Sequence, residues 1–372
     1  MINKDKKILI ISAWLPGGGV ETVISNFSRI MSAKGYEIKV VSLSDYLEWN
    51  WFENKEFTIS FYPVFKKENE INIFNAISNF RKVYKILQKE IKEYSPSNIL
   101  ITHTLLGLFV RKLKSHFDTS IYYWPMNTVF NTNTQGNKMF NHIYSFLKRK
   151  YVWYMVKPFD GAICISSQIQ EQLSYIDETP AFLTFAPVNQ RTQIALNESP
   201  GSPHFIFIGR IDQRKNLCFL LESLAQIKLD NWKLDIVGEG PEKERAFELS
   251  KSLGIQDNIN WIGLRFPPFS EKPSYTSIIM TSLSEGFPMV IIDALLSGIP
   301  VICPSHLSIY NDAILESENG YGYEENSHES LKHVIEKIYY QREVYNGKHI
   351  SEQCLNNFGD NEFFKRFLEI LN

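Results

Sequence analysis

The sequence predicts an α/β protein made of two doubly wound domains. The chain has 372 residues, which is too long for one ordinary α/β domain and suits two domains of about 180 residues each. Short apolar runs alternate with stretches of helical periodicity in both halves, which is the pattern of βαβ units and a parallel sheet. A polar segment with Pro and Gly, residues 189–203, separates the halves and is predicted to be a linker.

The apolar runs define the individual elements. In the first half the predicted strands are 7–12, 38–43, 98–101, 120–124 and 161–165, and the predicted helices include 20–34 and 74–94. In the second half the predicted strands are 204–208, 233–237, 258–262, 277–281 and 300–303, followed by a largely helical stretch at about 328–371. The expected domains are 1–195, completed by a C-terminal helix at 355–372, and 200–354.

The charge of the chain limits its partners. The net charge of -2 argues against a general nucleic-acid binder. Residues 1–190 nevertheless contain 22 Lys and Arg against 16 Asp and Glu, whereas the remainder contains 17 against 25. A basic first half would attract an anionic partner, such as a phosphorylated lipid or a membrane surface. A solvated surface with uneven charge is the alternative.

Cysteine usage and hydropathy indicate a cytoplasmic protein. The four cysteines are scattered without a CxxC pair, which excludes a disulfide framework and a zinc site of that type. Cys164 and Cys303 lie in apolar runs and are expected to be small core residues. The apolar stretch near the N-terminus is too short for a signal peptide. No run of about 18 apolar residues predicts a transmembrane helix, although contact with a membrane stays open.

The first glycine-rich segment, residues 17–19, lies between the first strand and the first helix. In doubly wound sheets, ligands bind beyond the carboxyl ends of the strands. Glycines there let the backbone approach a ligand, and a helix N-terminus offers unpaired N–H groups to an anion. Gly18 and Gly19 are therefore expected to contact substrate. An ordinary glycine turn is the alternative.

Two further segments follow predicted strands of the second half. Arg210 and Lys215 come after the first strand, where two fixed cations would stabilise the charge on a departing diphosphate without a metal. An exposed basic loop is the alternative. Gly238 and Glu239 follow the next strand and are expected to border a nucleotide, with Pro241 at the first helical position. A tight turn would explain the same residues.

Two carboxylates stand eight positions apart in the second predicted domain. Glu285 is expected to accept hydrogen bonds from sugar hydroxyls, and Asp293 from a ribose diol. A shared helical face is expected if the helix starts by residue 287. The segment between them would present N–H groups to phosphate; its residues are Gly286, Phe287, Pro288 and Met289.

Together, these segments resemble a known family. GRIDQRKN (209–216), GEGP (238–241) and the EGFP segment at 285–294 are similar to the retaining glycosyltransferases of the GT-B fold, family 4, in order and spacing over most of the chain. GGGVETV at the start, YYWP (122–125) and ISSQIQEQ (165–172) are similar to bacterial lipopolysaccharide core galactosyltransferases of that family. The resemblance implies two Rossmann-like domains that face each other across a cleft.

The resemblance also implies roles. Arg210 and Lys215 would hold the donor diphosphate, Glu285 would bind the transferred sugar, residues 286–289 would lie beside both, and Asp293 would hold the ribose. The family usually has a second Glu where this chain has Asp293. The Asp side chain is shorter by one methylene, so a contact with the ribose would require the backbone to lie closer to the ligand. Where the family often has a His at a strand end, Met126 stands here.

His103, which ends the preceding predicted strand, is the nearest candidate for that missing His. A structural His at a strand end is the alternative. The family has no agreed protein nucleophile, and the acceptor is pictured as attacking on the face from which the diphosphate departs. A Ser, His and Asp arrangement is therefore not required.

The expected activity is transfer of a hexose, galactose first, from a UDP-sugar to a lipopolysaccharide or other cell-surface glycan, lipid-linked or not. No metal or other cofactor and no nucleic-acid partner are expected. Three alternatives stay open: a UDP-N-acetylhexosamine transferase, a nucleotide-sugar epimerase of the same fold, and a non-catalytic sugar-nucleotide-binding subunit. A sugar phosphorylase would need a longer chain and a pyridoxal lysine.

Residues 146–159 (FLKRKYVWYMVKPF) interleave basic and aromatic side chains. One interpretation is a surface that lies against the inner face of the cytoplasmic membrane near anionic head groups. The other is an ordinary helix that packs its aromatic residues inward.

Overall fold

The computed structural model describes residues 6–15, 19–44, 57–65, 72–130, 138–188, 201–265, 269 and 274–371. The chain forms two compact units, Met1–Pro187 with Phe363–Asn372, and Val188–Glu362. The first domain was expected to end at 195 and to regain the chain at 355. The units instead divide after Pro187 and after Glu362, so residues 355–362 lie in the second unit.

The first unit is a parallel sheet with helical crossovers. Its strands are β1 (Lys7–Ser12), β2 (Glu37–Ser42), β3 (Thr58–Phe61), β4 (Asn98–Ile101), β5 (Ser120–Tyr123), β6 (Gly161–Cys164) and β7 (Ala181–Leu183). Its helices are α1 (Gly19–Ala33), α2 (Ile73–Ser78), α3 (Phe80–Tyr94), α4 (Gly107–Lys114), α5 (Lys138–Val156) and α6 (Ser167–Leu173). The strand order is β3-β2-β1-β4-β5-β6-β7.

The second unit repeats this plan. Its strands are β8 (His204–Ile208), β9 (Lys233–Val237), β10 (Ile259–Gly263), β11 (Ser277–Ile279), β12 (Val301–Pro304) and β13 (Gly320–Tyr323). Its helices are α7 (Leu217–Leu224), α8 (Lys243–Ser252), α9 (Met289–Leu296), α10 (Ser308–Ala313), α11 (His328–Tyr340) and α12 (Gly347–Phe358). The parallel strands are ordered β10-β9-β8-β11-β12-β13.

A last helix, α13 (Asp360–Leu371), returns the chain to the first unit. Phe363 and Phe367 are buried, and their rings lie 6.0 and 5.0 Å from the ring of Phe27 on α1. The hydroxyl of Tyr122 on β5 also donates to the Ile370 carbonyl at 3.2 Å. This aromatic cluster shows why residues 363–371 pack with the first unit.

Each sheet is buried by the apolar faces of its helices. In the second unit, Phe205 and Phe207 of β8 and Leu234 and Ile236 of β9 form one core with α7, α8 and α11. Runs such as HFIFI have few polar positions because a parallel strand is covered on both faces. Cys164 and Cys303 are fully buried, which confirms them as small core residues.

The predicted and observed elements differ at a few places. The predicted helix 74–94 is two helices, α2 and α3, joined at Asn79. Strands β3, β7 and β13 were not predicted. The interdomain linker predicted at 189–203 lies mostly outside the described residues.

The exposed side of α5 decides one of the open alternatives. Its inward positions hold Val152, Met155 and Val156, whereas Trp153 and Tyr154 are 36% and 49% exposed. The prediction that this helix packs its aromatic residues inward is therefore wrong for these two rings. Among the described helices, none has the length and apolar character needed to span a bilayer.

Candidate active site

The order of the second sheet creates one switch point. From β8 the chain winds outward through β9 to β10, and then returns to place β11 on the other side of β8. At such a point the loops that leave neighbouring strands run in opposite directions and leave a crevice at the carboxyl edge. The loops after β8 and β11, residues 209–216 and 280–288, both leave this edge.

Hydrogen bonds to backbone carbonyls tie these two loops together. The Leu283 N–H donates to the Arg214 carbonyl at 2.8 Å. The Thr281 hydroxyl donates to the carbonyls of Lys215 and Asn216 at 2.9 and 3.1 Å. The loop after β8 is thereby held against the loop after β11, and side chains far apart in sequence meet.

Lys215 and Glu285 form the central contact of this crevice. The Lys215 Nζ lies 2.6 Å from Glu285 Oε1, and the two side chains are only 12% and 9% exposed. Arg214 NH1 approaches Glu285 Oε2 at 3.8 Å from the solvent side, with its side chain 48% exposed. One carboxylate therefore faces two cations, which is the arrangement that keeps a largely buried charge pair tolerable.

Arg210 stands apart from this pair. Its side chain is 71% exposed, and its Nε lies 3.7 Å from Asp212 Oδ2. The other oxygen of Asp212 accepts the Lys215 backbone N–H at 3.0 Å. Asp212 thus links the two cations that the sequence singled out. It contacts the side chain of Arg210 and the backbone N–H of Lys215.

The loop after β9 lies against the loop after β8. Gly238 has φ +152°, and a Cβ there would come within 1.9 Å of the Gly209 carbonyl oxygen. Glu239 is exposed and pairs with Lys243 one turn later at 2.7 Å. Helix α8 begins at Lys243, so Pro241 lies two residues before it and not at the first helical position.

Asp293 lies in the second turn of α9, half-buried. Burial raises the pKa of its carboxyl to about 7. The expected shared helical face with Glu285 is wrong, because α9 begins only at Met289 and leaves Glu285 in the preceding loop. Pro288 is extended, with φ −77° and ψ 95°, and a proline disfavours helical geometry in the residue before it.

The residues between the two carboxylates are largely packed. Gly286, Phe287, Pro288 and Met289 are all buried. The ring of Phe287 lies 6.0 Å from that of Phe358 on α12. The side chains of Phe287, Pro288 and Met289 therefore fix the loop against the domain core.

The candidate residues of the first unit follow two of its strands. Gly18 lies outside the described residues, and Gly19 is exposed at the first position of α1. His103 follows β4 and caps the short 3₁₀ turn Thr104–Leu106, since its Nδ1 accepts the Leu105 N–H at 3.3 Å. Burial lowers the pKa of His103 to about 4, so the imidazole is neutral at physiological pH. Met126 is buried after β5.

Metal-ligand side chains do not converge in the part of the chain that the structure describes: no group of three or more His, Cys, Asp or Glu there is placed to hold an ion. The four cysteines are unpaired thiols. The charged side chains that the structure brings to this crevice are those of Arg210, Asp212, Arg214, Lys215 and Glu285.

Sequence reasoning missed two of these charged residues. Arg214 and Asp212 belong to the segment 209–216 that the sequence singled out, yet neither received a role. The signal was present for Asp212, since an Asp three positions before a backbone N–H commonly caps a turn. Arg214 and Glu285 are far apart in the sequence, and they meet because β11 lies beside β8 in the sheet.

Comparisons with known proteins agree with this architecture. A model of the glycosyl transferases group 1 family matches residues 189–348. The lipopolysaccharide 1,6-galactosyltransferase of Escherichia coli strain K12 is 26% identical over 332 residues, covering 86% of this chain and 85% of the relative.

Solved structures extend the likeness to the whole fold. The apo form of the lipopolysaccharide outer core galactosyltransferase WaaB matches with a TM-score of 0.76 at 24% identity, covering 98% of this chain and 99% of that one. Anabaena HepE in complex with UDP matches with a TM-score of 0.74 at 15% identity, covering 98% and 99% of the two chains.

The two parallel sheets, the charged crevice at the switch point of the second sheet and these likenesses agree with one another. The chain is a glycosyltransferase of the GT-B fold that is similar to bacterial lipopolysaccharide core galactosyltransferases, and its residues 189–348 match the model of the glycosyl transferases group 1 family.

Proposed function

We propose that this chain is a retaining hexosyltransferase that needs no metal and moves galactose from UDP-galactose to a lipopolysaccharide or other cell-surface glycan. The observation that carries the proposal is the meeting of Lys215, Arg214 and Glu285 at the switch point of the second sheet. This is the place where an open α/β sheet binds its ligand, and it combines cations for a diphosphate with a carboxylate for sugar hydroxyls.

The cations have a defined role in this reaction. An acceptor oxygen forms a bond to the anomeric carbon while the bond from that carbon to the diphosphate oxygen breaks. The acceptor proton passes to the departing diphosphate, which keeps the bonding electron pair. Lys215 and Arg210 stabilise the charge that develops on the diphosphate, because preorganised cations in a partly dehydrated site are strong electrostatic stabilisers. A divalent ion is then not needed for that step.

Glu285 and Asp293 would hold the donor. The Glu285 carboxylate accepts hydrogen bonds from the transferred sugar, and Asp293 accepts them from the ribose diol once it is ionised. The backbone N–H groups of Gly286–Met289 lie beside the phosphates. Gly238 and Glu239 border the nucleotide, while Gly18, Gly19 and His103 contact the acceptor side. In this proposal the neutral imidazole of His103 serves as a hydrogen-bonding group and not as a cation.

The comparisons support the choice of donor and acceptor class. The E. coli relative is named as a lipopolysaccharide 1,6-galactosyltransferase, and the HepE structure contains UDP. The free thiols suit a reducing compartment. We place the enzyme in the cytoplasm, at the inner face of the membrane that carries a lipid-linked acceptor.

The test is a transfer assay in chelator with UDP-galactose, UDP-glucose and UDP-N-acetylglucosamine, using truncated lipopolysaccharide core as acceptor. We expect UDP-galactose to be consumed fastest and the product to be an α-glycoside by NMR, as retention requires. Faster transfer of N-acetylglucosamine would identify an N-acetylhexosamine transferase. Conversion of the donor without an acceptor would identify an epimerase, and binding without turnover would identify a non-catalytic subunit.

A further inference from the structure

A stripe of exposed apolar and basic side chains runs along the second half of α5 and just beyond its end. At about 100° per residue its members fall within about a third of the helix circumference. The members of this stripe, called the α5 surface below, are Phe146, Leu147, Lys150, Trp153, Tyr154 and Lys157. Phe146 and Leu147 are 56% and 59% exposed, which is unusual for large apolar side chains that stand next to each other.

Cations lie directly on these rings. Lys150 Nζ is 4.7 Å from the ring centre of Phe146, and Lys157 Nζ is 4.5 Å from that of Trp153. Arg111 of α4 stacks on Tyr154 at 4.6 Å. Helices α4 and α5 are in close contact, since a Cβ on Gly107 would come within 2.0 Å of the Met155 carbonyl oxygen. The two helices therefore present one continuous surface.

The two helices that form this surface carry charged side chains of one sign. Residues 138–157 contain five Lys and Arg and no Asp or Glu, and residues 107–114 contain three Lys and Arg and no Asp or Glu. Lys157 is paired with Glu178, and Lys114 with Asp160. On α4 and on the described side chains of α5, the cations without a carboxylate partner are Arg111, Lys112, Lys148, Arg149 and Lys150.

Helix α2 carries two further exposed apolar side chains of the first unit. Phe74 and Ile77 are 81% and 59% exposed. Helix α2 contacts the turn Thr104–Leu106, and so does α5.

We propose that the α5 surface docks the enzyme on an anionic lipid bilayer. Aromatic rings favour the interface between head groups and acyl chains, and each Lys or Arg near an anionic surface adds about 1 kcal/mol of attraction. The exposed rings with cations stacked on them provide both terms on adjacent helices, and the absence of acidic residues from α4 and α5 matches a negative partner. The inference rests on the proposed function only in that a lipid-linked acceptor gives the enzyme a reason to work at a membrane.

Flotation of the full chain with lipid vesicles tests the proposal. We expect binding to vesicles of phosphatidylglycerol and phosphatidylethanolamine, weaker binding as salt is raised, and no binding to phosphatidylcholine alone. The variant R111Q/R149Q/K150Q should bind about a hundredfold more weakly, as the loss of three cations at about 1 kcal/mol each implies. The variant F146S/L147S/W153S should lose at least about tenfold, since it removes apolar area from the interface.

Matched controls lie on the second unit. Tyr340 and Val344 are 68% and 72% exposed, so Y340S/V344S removes exposed apolar area elsewhere and should bind like the wild type. K251Q/K348Q removes two exposed cations there and should also leave binding unchanged. Equal melting temperatures would show that every variant is folded, as is expected for exposed positions.

Three results would overturn the proposal: no binding of the wild type to any vesicle, equal binding to neutral and anionic vesicles, or wild-type binding by both α5 variants. Dimerisation that F146S/L147S/W153S abolishes, without vesicle binding, would assign the surface to a second copy of the chain instead. Failure of the proposed function is separable from these results. A chain that binds vesicles but transfers no sugar keeps the surface and loses the activity, and the α5 variants should retain full transfer to a soluble acceptor.

Discussion

Lys215 and Glu285 neutralise each other before a donor arrives. Their contact at 2.6 Å is largely sheltered from solvent, so each charge depends on the other for stabilisation. A diphosphate that approaches Lys215 competes with Glu285 for it, and a sugar hydroxyl that donates to Glu285 competes with Lys215. Under the proposed function, donor binding is an exchange of partners at a carboxylate that Arg214 also faces.

The stability of the pair gives a first prediction. Glu285→Gln leaves the Lys215 ammonium sheltered without its partner and should lower the free energy of unfolding by about 3 kcal/mol, the range measured when one partner of a buried pair is removed. Urea denaturation measures the change. Glu239→Gln is the matched control, because Glu239 and Lys243 form an exposed pair that should contribute no more than about 1 kcal/mol. Equal losses in the two variants would contradict the account.

Asp293 gives a prediction on pH. The folded chain holds its proton up to about pH 7, whereas an unfolded Asp releases it near about pH 4. Between these values the folded state binds more protons, so this contribution to stability is complete below about pH 4 and is lost as the pH rises through about 7. Asp293→Asn does not titrate, and its stability relative to the wild type should therefore rise between about pH 5 and about pH 8.

Urea denaturation across that interval measures the difference between the two chains. Asp230→Asn, at an exposed position, should follow the wild-type profile and serves as the control. A constant difference between Asp293→Asn and the wild type at every pH would show that the carboxyl titrates normally.

At the residue scale the sequence identified the charged segments but not their contacts. Residues 210, 215 and 285 were predicted from their place after strands. The Lys215 contact with Glu285 was not predicted, because it joins residues 70 positions apart and depends on β11 lying beside β8. The prediction that Glu285 and Asp293 share a helical face failed for a local reason, because Pro288 delays the start of α9 to Met289.

At the element scale, glycine sets the distance between the loops after β8 and β9. Gly238→Ala would force its new Cβ against the Gly209 carbonyl, 1.9 Å away, at a positive φ. Overpacking and backbone strain together should cost about 3 kcal/mol of stability, and displacement of the Arg210 loop should weaken UDP binding. Gly201→Ala, where nothing lies within 4 Å, is the control and should change neither. Thermal unfolding with and without UDP measures both effects, and a wild-type-like Gly238→Ala would refute the close approach.

Periodicity predicted most strands and helices of both units, and it failed where local chemistry overrides it. The pattern at 74–94 is continuous, yet the Asn79 side chain donates to the Asn75 carbonyl at 2.9 Å and competes with the helical ladder. Strand β13 reads GYGY, which resembles a loop because glycine weakens strands. Gly320 is required there, since a Cβ would come within 2.2 Å of the Val301 carbonyl oxygen on the neighbouring strand.

At the scale of the whole molecule, the sequence predicted two parallel α/β units but not their strand order. Alternation of strands and helices fixes parallel pairing, and both sheets then place their first strand in the interior with crossovers on either side. This order creates the switch point where the charged loops meet. The return of residues 363–371 to the first unit follows from the aromatic packing of Phe363 and Phe367 on Phe27. The sequence predicted this return at residue 355, eight residues before the observed boundary at Phe363.

In the proposed function, the loop after β8 binds the donor diphosphate without a metal. Its most direct test is calorimetric titration of UDP in chelator, comparing the wild type with Arg210→Ala. Arg210 is 71% exposed, so its loss should leave the fold intact. The matched control is Lys243→Ala, which removes an exposed cation from the first position of α8.

We predict that the wild type and Lys243→Ala bind UDP equally, and that Arg210→Ala binds about tenfold to a hundredfold more weakly, as loss of a charge-assisted hydrogen bond implies. Binding of UDP by Arg210→Ala with wild-type affinity, or binding that appears only when a divalent ion is added, would contradict the account.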